Sequence, residues 1–268
     1  MNESGQQKVT WVPADKLMSV ARSRFLPADV LLDIGCGIVP QNYVVPAAHI
    51  CVEPFSDYVE VLREKLRGVT DRSFVILNSS WKDALKVFPP QSVDTVVILD
   101  VIEHIEKDEA RQLLAATTTI ARRQVLVFTP LGFLPQCHPD GKDAWGLNGG
   151  EWQEHKSGWM PSDFDDRWEF IATQAYYHQD NLGRPFAEPY GAFWAILNLP
   201  HPAEEARIQR RSFVISFALV AESLHYSAPV RICLAVLHAF DRLRVRMFSA
   251  RRAIGLRLRK MAASVGPR

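Results

Sequence analysis

Three histidines and one acid are the residues of this chain best suited to move a proton. His104 stands in "IEHI", His138 in "PQCHPDG" and His155 in "QEHKSGW", and Glu103 directly precedes the first of them. An imidazole within hydrogen-bond reach of a hydroxyl group can accept its proton. We expect His155, His104 and Glu103 to carry the catalytic chemistry, with His138 as a further candidate base.

The pair Glu103 and His104 has two interpretations. In the first, both residues begin the helix after a strand, where the helix dipole favours an acid. In the second, Asp100, Glu103 and His104 have the i, i+3, i+4 spacing of one helical face, and His155 completes a set of ligands for a divalent cation. Carboxylates with imidazoles suit Mg²⁺ or Mn²⁺ better than zinc. The sequence leaves open a metal site and a site in which His155 acts as a base without metal.

A glycine turn follows the first buried strand. The stretch "VLLDIGCGIVPQ" has Asp33 at the end of an apolar run, followed by Gly35 and Gly37. These glycines allow a ligand to rest against the backbone, while N–H groups of a following helix point at it. The dinucleotide fingerprint is not met, because Pro40 takes the place of its third glycine. Asp33 would repel a pyrophosphate and accept a hydrogen bond from an ammonium group, so we expect a ligand with an amino group.

A second acid indicates what else this ligand contains. Glu53 ends the apolar run "HICVEP", twenty positions after Asp33. An acid at this place can accept hydrogen bonds from both hydroxyls of a ribose. A ligand that joins an amino acid to a ribose is S-adenosylmethionine.

With these motifs, residues 28–130 resemble the class I S-adenosylmethionine-dependent methyltransferases. "LLDIGCG" is similar to the first motif of that family, "LNSSWKDAL" stands where its third strand leads to the adenine, and "VDTVVILDVIEHI" is similar to its fourth-strand motif. The resemblance implies a cofactor site made of Asp33, Gly35, Gly37, Glu53, Ser80, Trp81 and Asp100. The chain departs from the family at "IVPQ" after the second glycine, and at Ser80, where relatives usually have an acid.

The stretch around Glu103 resembles a metal site found in part of this family. Small-RNA 2′-O-methyltransferases and some ubiquinone-pathway O-methyltransferases have a similar acid-x-x-Glu-His sequence, and the RNA enzymes have a later histidine before a tryptophan. Here "HKSGW" matches that later element, and Asp100 replaces a glutamate. The resemblance therefore implies a divalent metal as a second cofactor.

The order of apolar segments predicts an α/β fold. Short apolar runs alternate with helical segments such as residues 13–24 and Lys107–Ile120, which indicates a doubly wound, mostly parallel, seven-stranded Rossmann-like sheet with helices on both faces. Residues 131–160 have no period and four aromatic side chains, and we expect a lid or insertion there. "WEFIATQAYYH" and "GAFWAILN" would supply the last two strands, although the second could equally be a helix. We expect a methyltransferase domain over 1–200 and a C-terminal helical extension over 201–268.

The extension carries most of the positive charge. The net charge is +1, but nine arginines and one lysine face the single acid Asp241 after residue 230, so this segment carries +9 and the preceding part −8. Apolar residues at steps of three and four predict a basic amphipathic helix over about 230–261. It could dock on the domain, on its twin in a homodimer, or on a membrane surface with anionic head groups. Nucleic acid is disfavoured, because the acidic part repels phosphate.

Composition completes the expectation. Four cysteines without a CxxC pair, a polar N-terminus and no apolar run of membrane-spanning length favour a cytoplasmic protein. We expect a methyltransferase that uses S-adenosylmethionine to O-methylate a hydroxyl of a small-molecule, sugar or lipid-linked acceptor in a biosynthetic reaction. The alternatives are a metal-assisted RNA 2′-O-methyltransferase and a non-catalytic scaffold that keeps the fold at a membrane or partner.

Overall fold

A single sheet of eight strands runs through residues 8–200, which are the residues that the computed structural model describes. In chain order the strands are β1 Lys8–Trp11, β2 Val30–Ile34, β3 Ala48–Glu53, β4 Ser73–Asn78, β5 Val93–Leu99, β6 Ala121–Leu131, β7 Trp168–Gln179 and β8 Pro185–Asn198. They lie side by side in the order β1-β7-β8-β6-β5-β2-β3-β4. Within these residues only β8 runs antiparallel to its neighbours, so the prediction of a mostly parallel sheet is confirmed.

Helices and single helical turns connect the strands. The α-helices are α1 Ala14–Arg22, α2 Ser56–Leu66, α3 Trp81–Ala84, α4 Lys107–Ile120 and α5 Gly150–Gln153. Short 3₁₀ turns occupy Leu85–Val87, Ile102–His104 and Pro161–Asp163. The helix predicted from the apolar spacing before β6 has the observed bounds of α4.

The prediction of seven strands is wrong, because β1 adds an eighth at the edge beyond β7. Its residues pair in parallel with Glu169–Ala172, and three of its four residues are exposed. An exposed edge strand is held by backbone hydrogen bonds and has little apolar signal, which explains why the sequence did not reveal it. The stretch "GAFWAILN" is a strand, part of β8, because it is buried between β6 and β7. The double winding of the helices stays a prediction.

The middle of the sheet forms the core that fixes the strand ends. Val96 and Ile98 of β5 are fully buried, and the neighbouring strands are almost continuously apolar. Helix α1 packs Leu17 and Ala21 against this sheet beside Trp194 of β8. Burial of each large aliphatic side chain in this core contributes roughly 1.5–3 kcal/mol to stability. This packing holds β2, β3 and β5 in place and so fixes the positions at which they end.

The expected helix after Gly37 is replaced by turns. Residues 38–47 contain no helix, and Pro40 removes one of the N–H groups that a helix start would offer. Gln41 organises this segment instead: its backbone N–H donates to Asp33 Oδ2 at 2.9 Å, and its side chain accepts from Val44 N and donates to Val44 O. The turn is thus held by side-chain hydrogen bonds rather than by helical ones.

The first glycine of the turn makes room for another part of the protein. Gly35 has φ +67°, and a Cβ placed on it would lie 2.5 Å from Val101 Cγ2. Val101 belongs to the turn after β5, so the two turns pack directly on each other. The absence of a side chain at Gly35 therefore serves the contact between the turns, and not only a ligand.

We expect Gly35→Ala to destabilise the protein more than Gly68→Ala. Gly68 also has positive φ but has no atom within 4 Å of a Cβ, so alanine there costs only the left-handed backbone, about 1 kcal/mol. At Gly35 the clash with Val101 adds about 1–3 kcal/mol. Urea unfolding of both variants, and a double-mutant cycle with Val101→Ala, measures this excess. Equal losses for the two alanines would show that Val101 does not constrain the turn.

The predicted C-terminal extension lies outside residues 8–200, and the prediction that no segment spans a membrane is examined only within them. The helical extension over 201–268, with its basic amphipathic helix, lies outside the described residues. Within residues 8–200, none of the helices combines the length and apolar character that crossing a membrane requires.

Candidate active site at the carboxyl edge of the sheet

The predicted cofactor residues meet at one edge of the sheet. Strands β2, β3 and β5 are parallel, so their carboxyl ends bring together the turn of Gly35 and Gly37, Glu53 and Asp100. Ligands of open α/β sheets bind beyond this edge.

Glu53 ends β3 and holds the glycine turn. Its Oε2 accepts the Gly37 N–H and its Oε1 accepts the Phe55 N–H, each at 2.9 Å. Burial raises the pKa of Glu53, and these two backbone hydrogen bonds oppose the rise. Each carboxylate oxygen has a second lone pair, so Glu53 can still accept ribose hydroxyls while it fixes the backbone beneath them.

Asp33 is buried and already has partners in the protein. Its Oδ2 accepts from Gln41 N and lies 3.0 Å from His49 Nε2, on the neighbouring strand β3. Only 2% of Asp33 is exposed, so this oxygen serves to anchor the turn. Its predicted hydrogen bond to a ligand ammonium stays a prediction.

Ser80 and Trp81 lie just beyond the end of β4, where α3 begins. The Ser80 hydroxyl accepts from Asp83 N at 3.2 Å and lies 2.9 Å from Asp83 Oδ2, so Ser80 is the N-cap of this short helix. The Trp81 ring has Lys82 Nζ 5.6 Å from its centre. Both residues are at the adenine end of the edge that the resemblance implies, and their contact with adenine stays a prediction.

Asp100 occupies a strained turn after β5. Its φ is +50°, which is rare for a residue other than glycine. Its side chain reaches solvent, yet crowding by protein atoms raises the pKa of its carboxyl group to about 6, while the neighbouring side chains of Glu103 and Tyr177 oppose the rise. Strained residues of this kind concentrate at functional sites.

The predicted helical face of Asp100, Glu103 and His104 does not exist. Asp100 is left-handed, Ile102–His104 is a 3₁₀ turn, and α4 begins only at Lys107. Glu103 is nevertheless deeply buried, at 2% exposure, and its Oε2 accepts from Thr129 Oγ1 at 3.1 Å. Burial, followed by the charge of Asp100, raises the pKa of Glu103 well above its usual value. The buried surroundings of Glu103 thus favour the neutral carboxyl group over the carboxylate.

His104 and His155 face each other with the same tautomer. His104 Nδ1 lies 3.1 Å from the Glu154 carbonyl oxygen, and His155 Nδ1 lies 2.6 Å from the Leu134 carbonyl oxygen. Because a carbonyl only accepts, each Nδ1 carries the hydrogen and each Nε2 keeps a lone pair. Burial lowers the pKa of His104 to about 3 and also lowers that of His155, so both rings are neutral at pH 7.

These two imidazoles and Glu103 fit a divalent cation. The three residues offer ligand atoms that all lie within 4.8 Å of one another. Glu103 Oε1 is buried and has no hydrogen-bond partner among residues 8–200, as expected of an atom meant for a ligand or proton. Nδ1–H bonded to a carbonyl is the usual support of a metal-binding histidine. Asp100, which the sequence also suggested, is not in this group.

Residues 131–160, called the insert below, hold this cluster in place. The backbone N–H groups of Lys156 and Ser157 both donate to the Glu103 carbonyl, at 2.7 and 3.0 Å. The Trp159 indole N–H donates to the Ile102 carbonyl at 3.2 Å, and this tryptophan is fully buried. The insert thus fixes the turn that carries Glu103 and delivers His155. The third candidate, His138, donates to the Lys142 carbonyl and belongs to the internal bonding of the insert.

A cavity of about 400 Å³ opens beside His155. Its walls come from the insert, from the turn between β7 and β8 and from the start of β8, and they include Phe133, Glu154, Arg184 and Phe186. Aromatic faces with carboxylate and guanidinium groups between them suit a ring-shaped ligand that carries polar substituents.

Several site residues were not found from the sequence. Gln41, His49, Thr129 and Tyr177 carry no motif, and each contacts an acid of the site that is not its neighbour in the chain. Asp143 could have been found from the sequence, because it begins a loop rich in glycine and asparagine. The side chain of an Asp in such a loop commonly accepts hydrogen bonds from the backbone a few residues later.

No protein-family model and no curated protein matches the chain. Solved structures do resemble it. The cyclopropane synthase MmaA2 of Mycobacterium tuberculosis is 21% identical over 44% of this chain, with a TM-score of 0.35, and the chain spans 42% of that protein's length. The N-terminal domain of EvdMO1, studied with S-adenosylhomocysteine and D-fucose, is 12% identical over 70% of this chain and 83% of its own, with a TM-score of 0.44. A SAM-dependent methyltransferase from Archaeoglobus fulgidus is 15% identical over 68% and 94%, with a TM-score of 0.41.

The sheet itself identifies the fold. The strands lie in the order β4-β3-β2-β5-β6-β8-β7, with β8 antiparallel and the glycine turn after β2. Residues 8–200 therefore have a Rossmann-like α/β fold, of the kind that the resemblance to the class I methyltransferases implies.

We expect Glu103→Gln to stabilise the protein at pH 8 in the presence of a chelator. A carboxyl group whose pKa is raised by folding contributes fully to stability below its unfolded pKa of about 4.5, and this contribution is lost as the pH rises through the raised value. Glutamine keeps the hydrogen bond with Thr129 and carries no charge, so the gain at pH 8 is on the order of 1 kcal/mol and vanishes near pH 4. Urea unfolding across this range measures it, with the exposed Glu188→Gln as control. A pH-independent difference would contradict the assignment.

Proposed function

We propose that this protein is a methyltransferase that uses S-adenosylmethionine to methylate a hydroxyl group of a small, ring-shaped acceptor. The observation that carries the proposal is the pair His104 and His155. Both imidazoles are neutral, both keep the Nε2 lone pair, and both stand beside a buried carboxyl group at the carboxyl edge of a class I methyltransferase sheet. Such a pair suits the removal of a hydroxyl proton.

The cofactor, when bound, supplies an electrophilic methyl group on a sulfonium. The residues that would hold it are Glu53 for the ribose, Gly37 for close backbone approach, and Asp100 at the methionine end. Asp100 accepts hydrogen bonds and keeps much of its charge at neutral pH, which favours a cationic amino group. Asp33 contributes through the shape of the turn. The chain thereby aligns donor and acceptor, which is the main requirement of a displacement at carbon.

The acceptor hydroxyl would enter from the cavity beside His155. As its oxygen attacks, the C–O bond forms, the C–S bond breaks, and the proton passes to His155 Nε2. A divalent cation held by Glu103, His104 and His155 would supply Lewis acidity that lowers the pKa of the hydroxyl. In that case the two histidines act as ligands, and the proton leaves to solvent.

A metal-assisted 2′-O-methyltransferase of RNA is the second candidate, favoured by the same three ligands. The charge of the chain before residue 231, −8, counts against a long phosphate backbone. A small acceptor that fills a cavity of about 400 Å³ therefore has our preference.

Calorimetric titration with S-adenosylhomocysteine tests the cofactor assignment. We expect the wild-type protein to bind it, and Glu53→Gln to weaken binding by about tenfold or more, because the amide loses one charged acceptor of the ribose hydroxyls. Wild-type affinity should also fall as the pH is lowered toward the raised pKa of Glu53, since protonation removes an acceptor. Glu188→Gln is the control. Absence of binding to the wild type would reject the methyltransferase and support a non-catalytic scaffold.

Titration with Mn²⁺ tests the metal assignment. We expect one tight site in the wild type and at least a tenfold loss of affinity in His104→Ala and in His155→Ala, because each removes an inner ligand. His178→Ala, an exposed histidine on β7, should bind like the wild type. If both ligand variants bind Mn²⁺ normally, His155 acts as a base without metal, and turnover should then be insensitive to chelator.

A further inference from the structure

The insert also covers the turn that the proposed function assigns to the cofactor. Trp145 Cη2 lies 3.4 Å from the position that a Cβ on Gly37 would take. The indole ring meets Tyr58 of α2 edge to face, with ring centres 5.0 Å apart. Tyr58 in turn meets Phe55, two residues after Glu53, at 4.8 Å. Trp145, Tyr58 and Phe55 thus form one continuous aromatic group beside Gly37 and Glu53.

Hydrogen bonds to the Asp143 carboxylate hold Trp145 in this position. Tyr58 Oη donates to Asp143 Oδ2 at 2.6 Å, and the same oxygen accepts from Gly149 N at 3.2 Å. Asp143 Oδ1 accepts from Trp145 N at 2.8 Å and from Leu147 N at 3.0 Å. A side chain at Gly149 would collide with the Tyr58 hydroxyl, so the close approach of the loop to α2 depends on this glycine.

The Trp145 side chain is still partly exposed to solvent. Although it contacts Gly37 and Tyr58, 47% of it is exposed, and an exposed indole beside a bare glycine backbone is a surface on which a planar ring can pack. The neighbouring Glu53 would hold the ribose of the same ligand. Stacking of a nucleobase on an aromatic side chain is worth roughly several-fold to more than a hundredfold in affinity.

We infer that Trp145 forms the outer wall of the cofactor's nucleoside pocket, and that Tyr58 and Asp143 are the positioning residues that hold it. This inference rests on the proposed function. The insert then serves both substrates: Trp145 lies against the nucleoside of the methyl donor, and His155 lies against the acceptor.

Binding of S-adenosylhomocysteine to the full-length protein tests the inference, by calorimetry and by quenching of tryptophan fluorescence. We expect Trp145→Ala to weaken binding about tenfold or more and to lose most of the quenching, Trp145→Phe to retain an intermediate affinity, and Tyr58→Phe to weaken binding several-fold. Trp11→Ala is the matched control, because Trp11 is 50% exposed but lies on β1 at the far edge of the sheet. Melting temperatures identify any variant that fails to fold, and in that event Trp145→Phe and Tyr58→Phe decide.

The outcomes separate the two proposals. If the wild type binds and Trp145→Ala binds equally well, Trp145 is only a packing residue and the inference is overturned. Tighter binding by Trp145→Ala also overturns it, since the indole would then occupy the nucleoside's place instead of lining it. A wild type that does not bind S-adenosylhomocysteine rejects the proposed function itself, and the inference with it.

Discussion

The candidate site depends on a carboxyl group that the fold removes from water. Glu103 is only 2% exposed and lies near the like charge of Asp100, so an unpaired negative charge on it would be costly. It must therefore keep a proton, share one with Asp100, or bind a cation. Each of these states needs the turn after β5 to stay in place, and two backbone hydrogen bonds from the insert to the Glu103 carbonyl provide that support. The histidines derive their neutral state from the same dry surroundings, because burial lowers the pKa of both.

The insert is therefore a structural component of the site and not an appended loop. Its bonds to the residues after β5 fix the acid, its Leu134 and Glu154 carbonyls orient the two imidazoles, and its aromatic part reaches across to α2. A segment with so many partners outside itself is unlike a lid that hinges freely at both ends. Movement that admits a ligand should be confined to the exposed side chains, of which Trp145 is the largest beside the glycine turn.

The sequence predicted those parts of the fold that a local pattern encodes. The continuous apolar strands and the amphipathic helix α4 follow from periodicity, and Gly37 and Glu53 follow from their places after β2 and β3. The edge strand β1 was missed because its stability comes from backbone pairing, which leaves no trace in side-chain types. The helix expected after Gly37 failed because Gln41 and Asp33 offer the backbone other hydrogen bonds. The spacing around Glu103 suggested a helical face that does not form, because a left-handed Asp100 precedes a 3₁₀ turn. Only the insert brings His155 close to Glu103 and His104.

The short strand β1 has a practical consequence for handling this protein. It occupies the hydrogen-bonding groups of Glu169–Ala172 on β7, one of the longest strands of the sheet. A chain trimmed to begin at α1 would expose the unpaired N–H and C=O groups of β7 as a new edge strand. Such an edge is a template for pairing with a strand of another molecule. Shortened versions made for crystallisation should therefore retain Lys8–Trp11, or they invite self-association through β7.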